Sequence, residues 1–251
     1  MFFMFDIKDK VAIVTGGASG IGLATVEMIL AKGGKPVIAD YNEEGGKKEA
    51  ARLGVKFIKV DVSKEEEVKN AVEEVVAEYG HLDIMVANAG INPIAGLSNL
   101  TMETYQRAVE INQNGVLFCD KYSIEQMIKQ GNGGAVINVS SVSGLVGQAH
   151  ELAYNTTKFA VRGMTKSLAL ECAPHNIRVN SIHPGCVLTG MVNEDVIGHE
   201  MMMQMLELHP LSAGVGRIAI PEELAHAIVF AIENTFMTGA EVVVDGGWTV
   251  Q

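Results

Sequence analysis

Polar and apolar positions along the 251-residue chain fall into two alternating textures. Short, almost continuous runs of aliphatic and β-branched residues occur at Val11–Thr15, Pro36–Asp40, Val55–Val60, Asp83–Ala87, Ala135–Ser140, Ile177–His183 and Glu241–Val244. They lack the strict alternation of a half-exposed sheet and predict parallel strands covered on both faces. Between them apolar residues recur with a helical period, at Ile21–Lys32, Glu43–Arg52, Lys64–Tyr79, Thr101–Gln130, Leu152–Cys172 and Pro221–Glu233. Ser63 and Glu66 have capping-box spacing at the third of these helices, and Pro221 suits a first helical position. The alternation predicts an α/β fold: one doubly wound parallel sheet, right-handed crossovers, helices on both faces. No linker, repeat or low-complexity segment interrupts the pattern, so residues 1–251 are expected to form a single domain.

One stretch breaks the rhythm. Leu188–Gly216 is long for a connection in a compact α/β domain and carries Met191, Met201, Met202, Met203 and Met205. Connections of this length are often functional; the expectation here is an insertion acting as a substrate lid, with a packed subdomain helix without a ligand role as an equally good reading.

Composition narrows the classes. The chain is 48% hydrophobic and 20% charged, as a globular protein is, and its formal net charge is −11. A nucleic-acid backbone binder needs clustered Lys and Arg, and no such cluster occurs, so nucleic acid is not an expected partner. Three widely spaced cysteines, Cys119, Cys172 and Cys186, form neither a disulfide framework nor a zinc motif and suit a reducing compartment. Met1–Phe5 is apolar but too short for a signal peptide, and no apolar run approaches a membrane span. The expectation is a soluble cytoplasmic protein with no membrane partner.

Candidate chemistry lies at the ends of the predicted strands. The first strand runs into Thr15-Gly16-Gly17-Ala18-Ser19-Gly20-Ile21-Gly22 and then a helix. Glycines there allow a tight turn and let backbone amides approach a pyrophosphate at the positive helix end. Asp40 ends the second strand, 18 residues after Gly22. A carboxylate at that place accepts hydrogen bonds from ribose hydroxyls and repels a 2′-phosphate, which argues for NAD over NADP. Asp61 and Val62 follow the third strand, where an adenine edge would lie, and Asn88-Ala89-Gly90 follow the fourth. For both, a structural turn is almost as good a reading from spacing alone. Ser141 follows the fifth strand, with Ser140 and Ser143 as competitors, and His183-Pro184-Gly185 ends the sixth as a rigid turn. Tyr154 and Lys158 are spaced i, i+4 and share a helix face. A cation beside a phenol lowers its pKa by roughly 1–3 units, which makes the pair a candidate for proton transfer.

Taken in order, Thr-Gly-x-x-x-Gly-Ile-Gly at 15–22, Asn-Ala-Gly at 88–90, Asn112-x-x-Gly115, Ser141, Tyr154-x-x-x-Lys158, Pro184-Gly185 and Val244-Asp245-Gly246-Gly247 resemble the short-chain dehydrogenase/reductase family over nearly the whole chain. The resemblance implies a Rossmann-type sheet of seven strands and a homotetramer. It implies Tyr154 as the acid/base and Lys158 as the group that lowers its pKa and binds the nicotinamide ribose. It further implies Ser141 orienting the reacting oxygen and Asn112 holding a water in a proton relay. Thr189 matches the residue that contacts the nicotinamide carboxamide, with the Val187 backbone nearby, and Gly16, Ser19, Gly20, Ile21 and Gly22 form the pyrophosphate loop. His183 stands where the family often has Asn, Ser or Thr, and a packed structural histidine is the plainer reading. No catalytic metal is implied.

The expected function is hydride transfer between NAD and a secondary alcohol or ketone. Gln148, His150 and Glu151, just before Tyr154, are placed to meet a distant hydroxyl or carboxylate on the substrate. With the methionine-rich insertion they favour a hydroxysteroid or bile acid, then a small cyclic or aliphatic secondary alcohol. The alternatives are a 3-oxoacyl-thioester reductase, which Asp40 disfavours, a sugar-alcohol dehydrogenase, and a non-enzymatic nucleotide-binding protein.

Overall fold

The computed structural model describes residues 5–190, 192, 195 and 198–251. It contains a seven-stranded, all-parallel sheet: β1 (Val11–Thr15), β2 (Lys35–Asp40), β3 (Lys56–Lys59), β4 (Ile84–Ala87), β5 (Gly134–Val139), β6 (Ile177–Pro184) and β7 (Glu241–Val244). The order across the sheet is β3-β2-β1-β4-β5-β6-β7. Every residue of β1, β4, β5 and β6 is buried, which is why β1 and β4 are almost wholly apolar and why the polar residues of β5 and β6, such as Asn138 and His183, are hydrogen-bonded within the core. The helices are α1 (Gly20–Ala31), α2 (Glu43–Leu53), α3 (Glu65–Tyr79), α4 (Met102–Ala108), α5 (Gly115–Gln130), α6 (Leu152–Cys172), α7 (His199–Leu208), α8 (Pro210–Val215) and α9 (Pro221–Glu233).

Two apolar layers cover the sheet. On one face Val72 and Val75 of α3, Val116 and Ile124 of α5, and Val161 and Ala169 of α6 meet Val11, Met85, Val136 and Val179 of the strands. On the other, Val26 and Ile29 of α1 and Leu224, Ile228 and Ile232 of α9 meet Val14, Ile38, Val86, Ile137 and Ile182. This arrangement is the single Rossmann-type α/β domain expected. The chain leaves β3 at one edge and returns through α3 to β4 beside β1. Loops after β1 and β4 therefore diverge, and a crevice opens between them at the carboxyl ends of the strands.

Three local expectations change. The stretch expected as one helix over 101–130 is α4, a π-helical segment Val109–Asn114, and α5. The expected Ser63–Glu66 capping box does not form, because the Ser63 hydroxyl donates to Asp61 Oδ1 at 2.6 Å and Lys64 occupies the N-cap. Within 188–216 the chain forms α7 and α8; Met191 and the side chain of Met201 lie outside the described residues.

Candidate active site

A cleft of about 520 Å³ runs along the carboxyl ends of β1 to β6, a size typical of a small-molecule site. One half is built by the glycine loop. Gly16 has φ +65°, and a Cβ there would stand 2.8 Å from Asn88 Nδ2, so only glycine lets the β1 and β4 loops close together. Asn88 completes the closure by donating to Thr15 O at 2.9 Å, while its own N–H and that of Ala89 donate to Thr15 Oγ1. Ser19 is the N-cap of α1, yet its side chain makes no cap hydrogen bond and the first turn has no acidic residue. The positive end of α1, at Ser19, Gly20 and Ile21, thus faces the cleft with amides to offer. Gly22 does not line the cleft. It packs behind the loop, where a Cβ would meet Gly16 O at 2.1 Å.

Asp40 sits on the same wall, at the end of β2. Its Oδ2 accepts from Ala18 N at 3.0 Å and its Oδ1 from Asn42 N at 2.8 Å, so the carboxylate is held still. Asp61 and Val62 line the cleft just beyond β3, and Asn88, Ala89 and Gly90 line it beyond β4. Asp61 accepts from Ser63 through both backbone and hydroxyl, and these bonds outweigh burial to hold its carboxyl below the usual range. Pro184, Gly185, Val187 and Thr189 form the opposing wall beyond β6. An open helix N-terminus, a glycine cradle and an immobilised strand-end carboxylate fit the pyrophosphate and ribose of a nicotinamide dinucleotide.

The other half carries the titratable groups. Ser141 follows β5; its Oγ accepts from Ser143 N at 3.1 Å, capping a short 3-10 turn, which leaves its own proton to be directed into the cleft toward Tyr154. Tyr154 and Lys158 project from the first two turns of α6 into the same space. Lys158 Nζ lies 5.4 Å from the Tyr154 ring centroid and donates to Val139 O at 2.8 Å. The expected electrostatics are corrected here. Tyr154 is not lowered by its neighbour: burial pushes the phenol up to about 12, and a hydrogen bond with Ser141 opposes this only partly. Burial likewise brings Lys158 down to about 8. Each group is driven toward its neutral form by the desolvation that its packed surroundings impose.

Asn112 lies within the π-helical segment and is buried behind the cleft rather than on its wall. Its Oδ1 accepts from Ile91 N at 2.8 Å, and Nδ2 donates to Ile91 O at 2.8 Å and to Thr157 Oγ1 at 3.3 Å. In this geometry the side chain braces the loop after β4 against α6. A relay through its amide would have to use the second lone pair of Oδ1. Gln148 faces the cleft, and its Nε2 donates to Ser143 Oγ at 2.6 Å.

Of three supporting groups, sequence reasoning named His183 as a packed histidine and missed the other two, Asn155 and His209. His183 is buried beneath Ser141, with Nδ1 2.9 Å from Ser141 O and Nε2 2.8 Å from Ser181 Oγ. A carbonyl only accepts, so Nδ1 carries the proton and the Ser181 hydroxyl donates to Nε2. Burial lowers its pKa, and the neutral imidazole holds Ser141 in place. Asn155 donates to Ser143 O at 2.8 Å and Val146 O at 2.9 Å, fastening the 143–148 loop to α6. His209 Nε2 accepts from Cys186 N at 3.0 Å and its ring meets Trp248 edge-on at 5.0 Å, tying the α7–α8 junction to the cleft. The only signal for these in the sequence is a polar residue inside an apolar stretch.

Among the described residues no group of three or more His, Cys, Asp or Glu is placed to hold a metal ion, and no helix is long and apolar enough to cross a membrane. The family model described as short chain dehydrogenase matches residues 10–199. The chain is 38% identical over 253 residues to a 2,5-dichloro-2,5-cyclohexadiene-1,4-diol dehydrogenase of Sphingobium indicum, covering 98% of this chain and 99% of that one. It is 39% identical over 245 residues to a 3-alpha-(or 20-beta)-hydroxysteroid dehydrogenase of Mycobacterium tuberculosis, covering 95% and 88%. It is also 38% identical over 253 residues to an NADP-dependent (R)-specific alcohol dehydrogenase of Lentilactobacillus kefiri, covering 98% of each.

Proposed function

The chain belongs to the short-chain dehydrogenase family, and from that premise we propose an NAD-linked oxidoreductase acting on secondary alcohols and the corresponding ketones. The observation that carries this reading is the convergence of Ser141, Tyr154 and Lys158 on one wall of a cleft whose other wall holds the α1 N-terminus and Asp40. A bound nicotinamide dinucleotide supplies the hydride acceptor or donor. In the oxidation direction Tyr154, once ionised to the phenolate, would take the proton of the substrate hydroxyl on Oη; in reduction the neutral phenol would return it to the nascent alkoxide. Ser141, with its own proton directed into the cleft, donates to the reacting oxygen and orients it. Lys158 has three N–H donors; one is spent on Val139 O, and the other two are available to ribose hydroxyls.

Asp40 favours NAD, although one relative is named NADP-dependent. The far part of the cleft is lined by Ile91, Val142, Val192, Met205 and Trp248, which suits an apolar ring. A hydroxysteroid is the favoured substrate and a smaller cyclic alcohol the next, in keeping with the names of the relatives. The 188–216 segment, which supplies Thr189, Val192 and Met205 to the cleft, is read as its lid. The cysteines are free, in keeping with a reducing cytoplasmic setting. The test follows nicotinamide absorbance with a panel of steroid, cyclic and sugar alcohols and their ketones, using NAD and NADP. Turnover is expected, and Tyr154→Phe should lower kcat by roughly 10²–10⁴. Near-normal turnover in Tyr154→Phe would remove the assigned chemistry.

A further inference from the structure

Glu151 stands at the N-cap of α6, one turn before Tyr154, where a carboxylate would ordinarily accept from the first amides of its own helix. It makes no such bond. Its side chain lines the cleft instead. There Oε1 accepts from Asn92 Nδ2 at 3.2 Å and Oε2 from Ser143 Oγ at 3.3 Å. An ionised carboxylate offers about four acceptor sites, so roughly half of this one is unused. Beside it Asn92 Oδ1 is buried with no hydrogen-bond partner at all. Among the described residues no Lys, Arg or His forms an ion pair with Glu151. The wall next to the reacting groups therefore has surplus acceptors and too few donors.

We infer that Glu151 and Asn92 form a subsite for a second hydroxyl on the substrate, so that the preferred substrate is a diol or a hydroxyketone rather than a monohydric alcohol. A hydroxyl supplies the missing donor and brings no charge. A substrate carboxylate would meet Glu151 as a like charge in a half-buried site, where such repulsion is strong. An ammonium would satisfy Glu151 but would enter a cleft that already holds the Lys158 cation. The Ser143 hydroxyl that donates to Glu151 itself accepts from Gln148 Nε2 at 2.6 Å, and the Ser143 amide donates to Ser141 Oγ. The subsite and the reacting-oxygen site are thus built on one short turn and keep a fixed spacing.

The inference rests on the dehydrogenase reading above, and its test separates the two. Whichever monohydric ring alcohol is turned over best is compared with analogues carrying a second hydroxyl, the first set being cyclohexanol with the 1,2-, 1,3- and 1,4-cyclohexanediols. An aminocyclohexanol and a hydroxycyclohexanecarboxylate complete the panel. The wild-type protein should favour at least one diol by about tenfold or more in kcat/KM, the effect of one hydrogen bond to a charged acceptor. Glu151→Leu should bring that ratio to within about twofold of unity, with Glu151→Gln between, because one acceptor oxygen remains. Circular dichroism and cofactor titration check that the variants are folded. Turnover of cyclohexanol without a preference for any diol overturns this inference alone. A preference that survives in Glu151→Leu, or a stronger preference for the amine or the carboxylate, overturns it too. No nicotinamide-linked turnover of any alcohol or ketone overturns both readings.

Discussion

The choice between NAD and NADP turns on Asp40, and its size can be worked from the site. The carboxylate is half-buried and fixed by the amides of Ala18 and Asn42, so it cannot swing away from a ligand. A 2′-phosphate would bring a charge of roughly −1.5 to −2 to the same place. Two unit charges about 4 Å apart repel by about 1 kcal/mol in water and about 4 kcal/mol at an effective dielectric of 20. At a half-buried site the phosphate thus costs roughly 2–6 kcal/mol, before the lost ribose hydrogen bonds are counted. Of the two basic side chains that line the cleft among the described residues, Lys158 stands with the reacting groups and Arg107 is engaged with Ser63 and Glu110. NADH should therefore bind about 30-fold or more tighter than NADPH, with tenfold as the floor. Asp40→Ala should move the ratio toward unity from both sides: NADPH gains by lost repulsion, and NADH loses as the freed amides loosen the glycine loop. Adding Tyr41→Arg, at an exposed position directly after it, should carry the ratio past unity. Calorimetric or fluorescence titration of both cofactors measures this, and the preference should shrink with added salt. Equal affinity for the two cofactors in the wild-type protein, or an unchanged ratio in Asp40→Ala, refutes the argument. If the variant weakens both cofactors equally, Asp40 is a brace for the loop and no discriminator.

Two further expectations concern stability and assembly. Asp120 is fully buried, with Oδ2 accepting from Asn138 Nδ2 at 3.0 Å and Oδ1 unpartnered, and burial raises its pKa to about 7. The folded state then holds a proton that the unfolded chain, titrating near 3.9, has lost, so this group makes stability fall between about pH 4 and pH 7, by up to about 1.4 kcal/mol per unit, and level off above. Asp120→Asn should flatten that part of the profile in chemical denaturation from pH 5 to 8, and a wild-type slope retained in the variant would show that the Asp120 carboxyl is not the group that produces it. The strand β7 forms one edge of the sheet, and Phe236, Val243 and Val250 around it are exposed; an edge of this kind is a template for association. Light scattering should give four times the chain mass, and a monomer at micromolar concentration refutes the expected tetramer.

What the sequence made legible were features whose physics is local. A largely apolar run reports a strand buried on both faces wherever it occurs, and all seven expected strands begin and end within a residue of the observed ones. The glycine loop was legible for a similar reason: a turn at φ +65° against a neighbouring strand tolerates almost nothing but glycine. The π-helical segment at Val109–Asn114 was not legible, because inserting one residue into a turn leaves apolar spacing nearly unchanged. Ser63 shows how a local rule loses to a stronger partner. Its hydroxyl has a charge-assisted bond to Asp61 available, and that replaces a neutral cap on a backbone amide.

The Tyr154–Lys158 pair marks the limit most sharply. Spacing of i, i+4 establishes that the two side chains share a face, and the structure puts both in the cleft. It does not establish which effect governs their protons. Proximity favours a phenolate beside an ammonium; burial favours a phenol beside an amine. The two differ in sign, and the second depends on how deeply β5, the 3-10 turn at Val142–Gly144 and α6 enclose the site. That depth is a property of contacts between Val139, Ser140 and Lys158, residues up to 19 positions apart in the chain. With Tyr154 raised to about 12, burial wins for the phenol in the protein alone, while Lys158, lowered to about 8, remains largely an ammonium at neutral pH. A phenolate at neutral pH then requires further positive charge or hydrogen-bond donors near Tyr154 Oη. Ser141 is one such donor, and the neutral His183 beneath it fixes where that donor points. The acid/base competence of this site is therefore a property of the Ser141 turn as much as of the tyrosine and lysine that announce it.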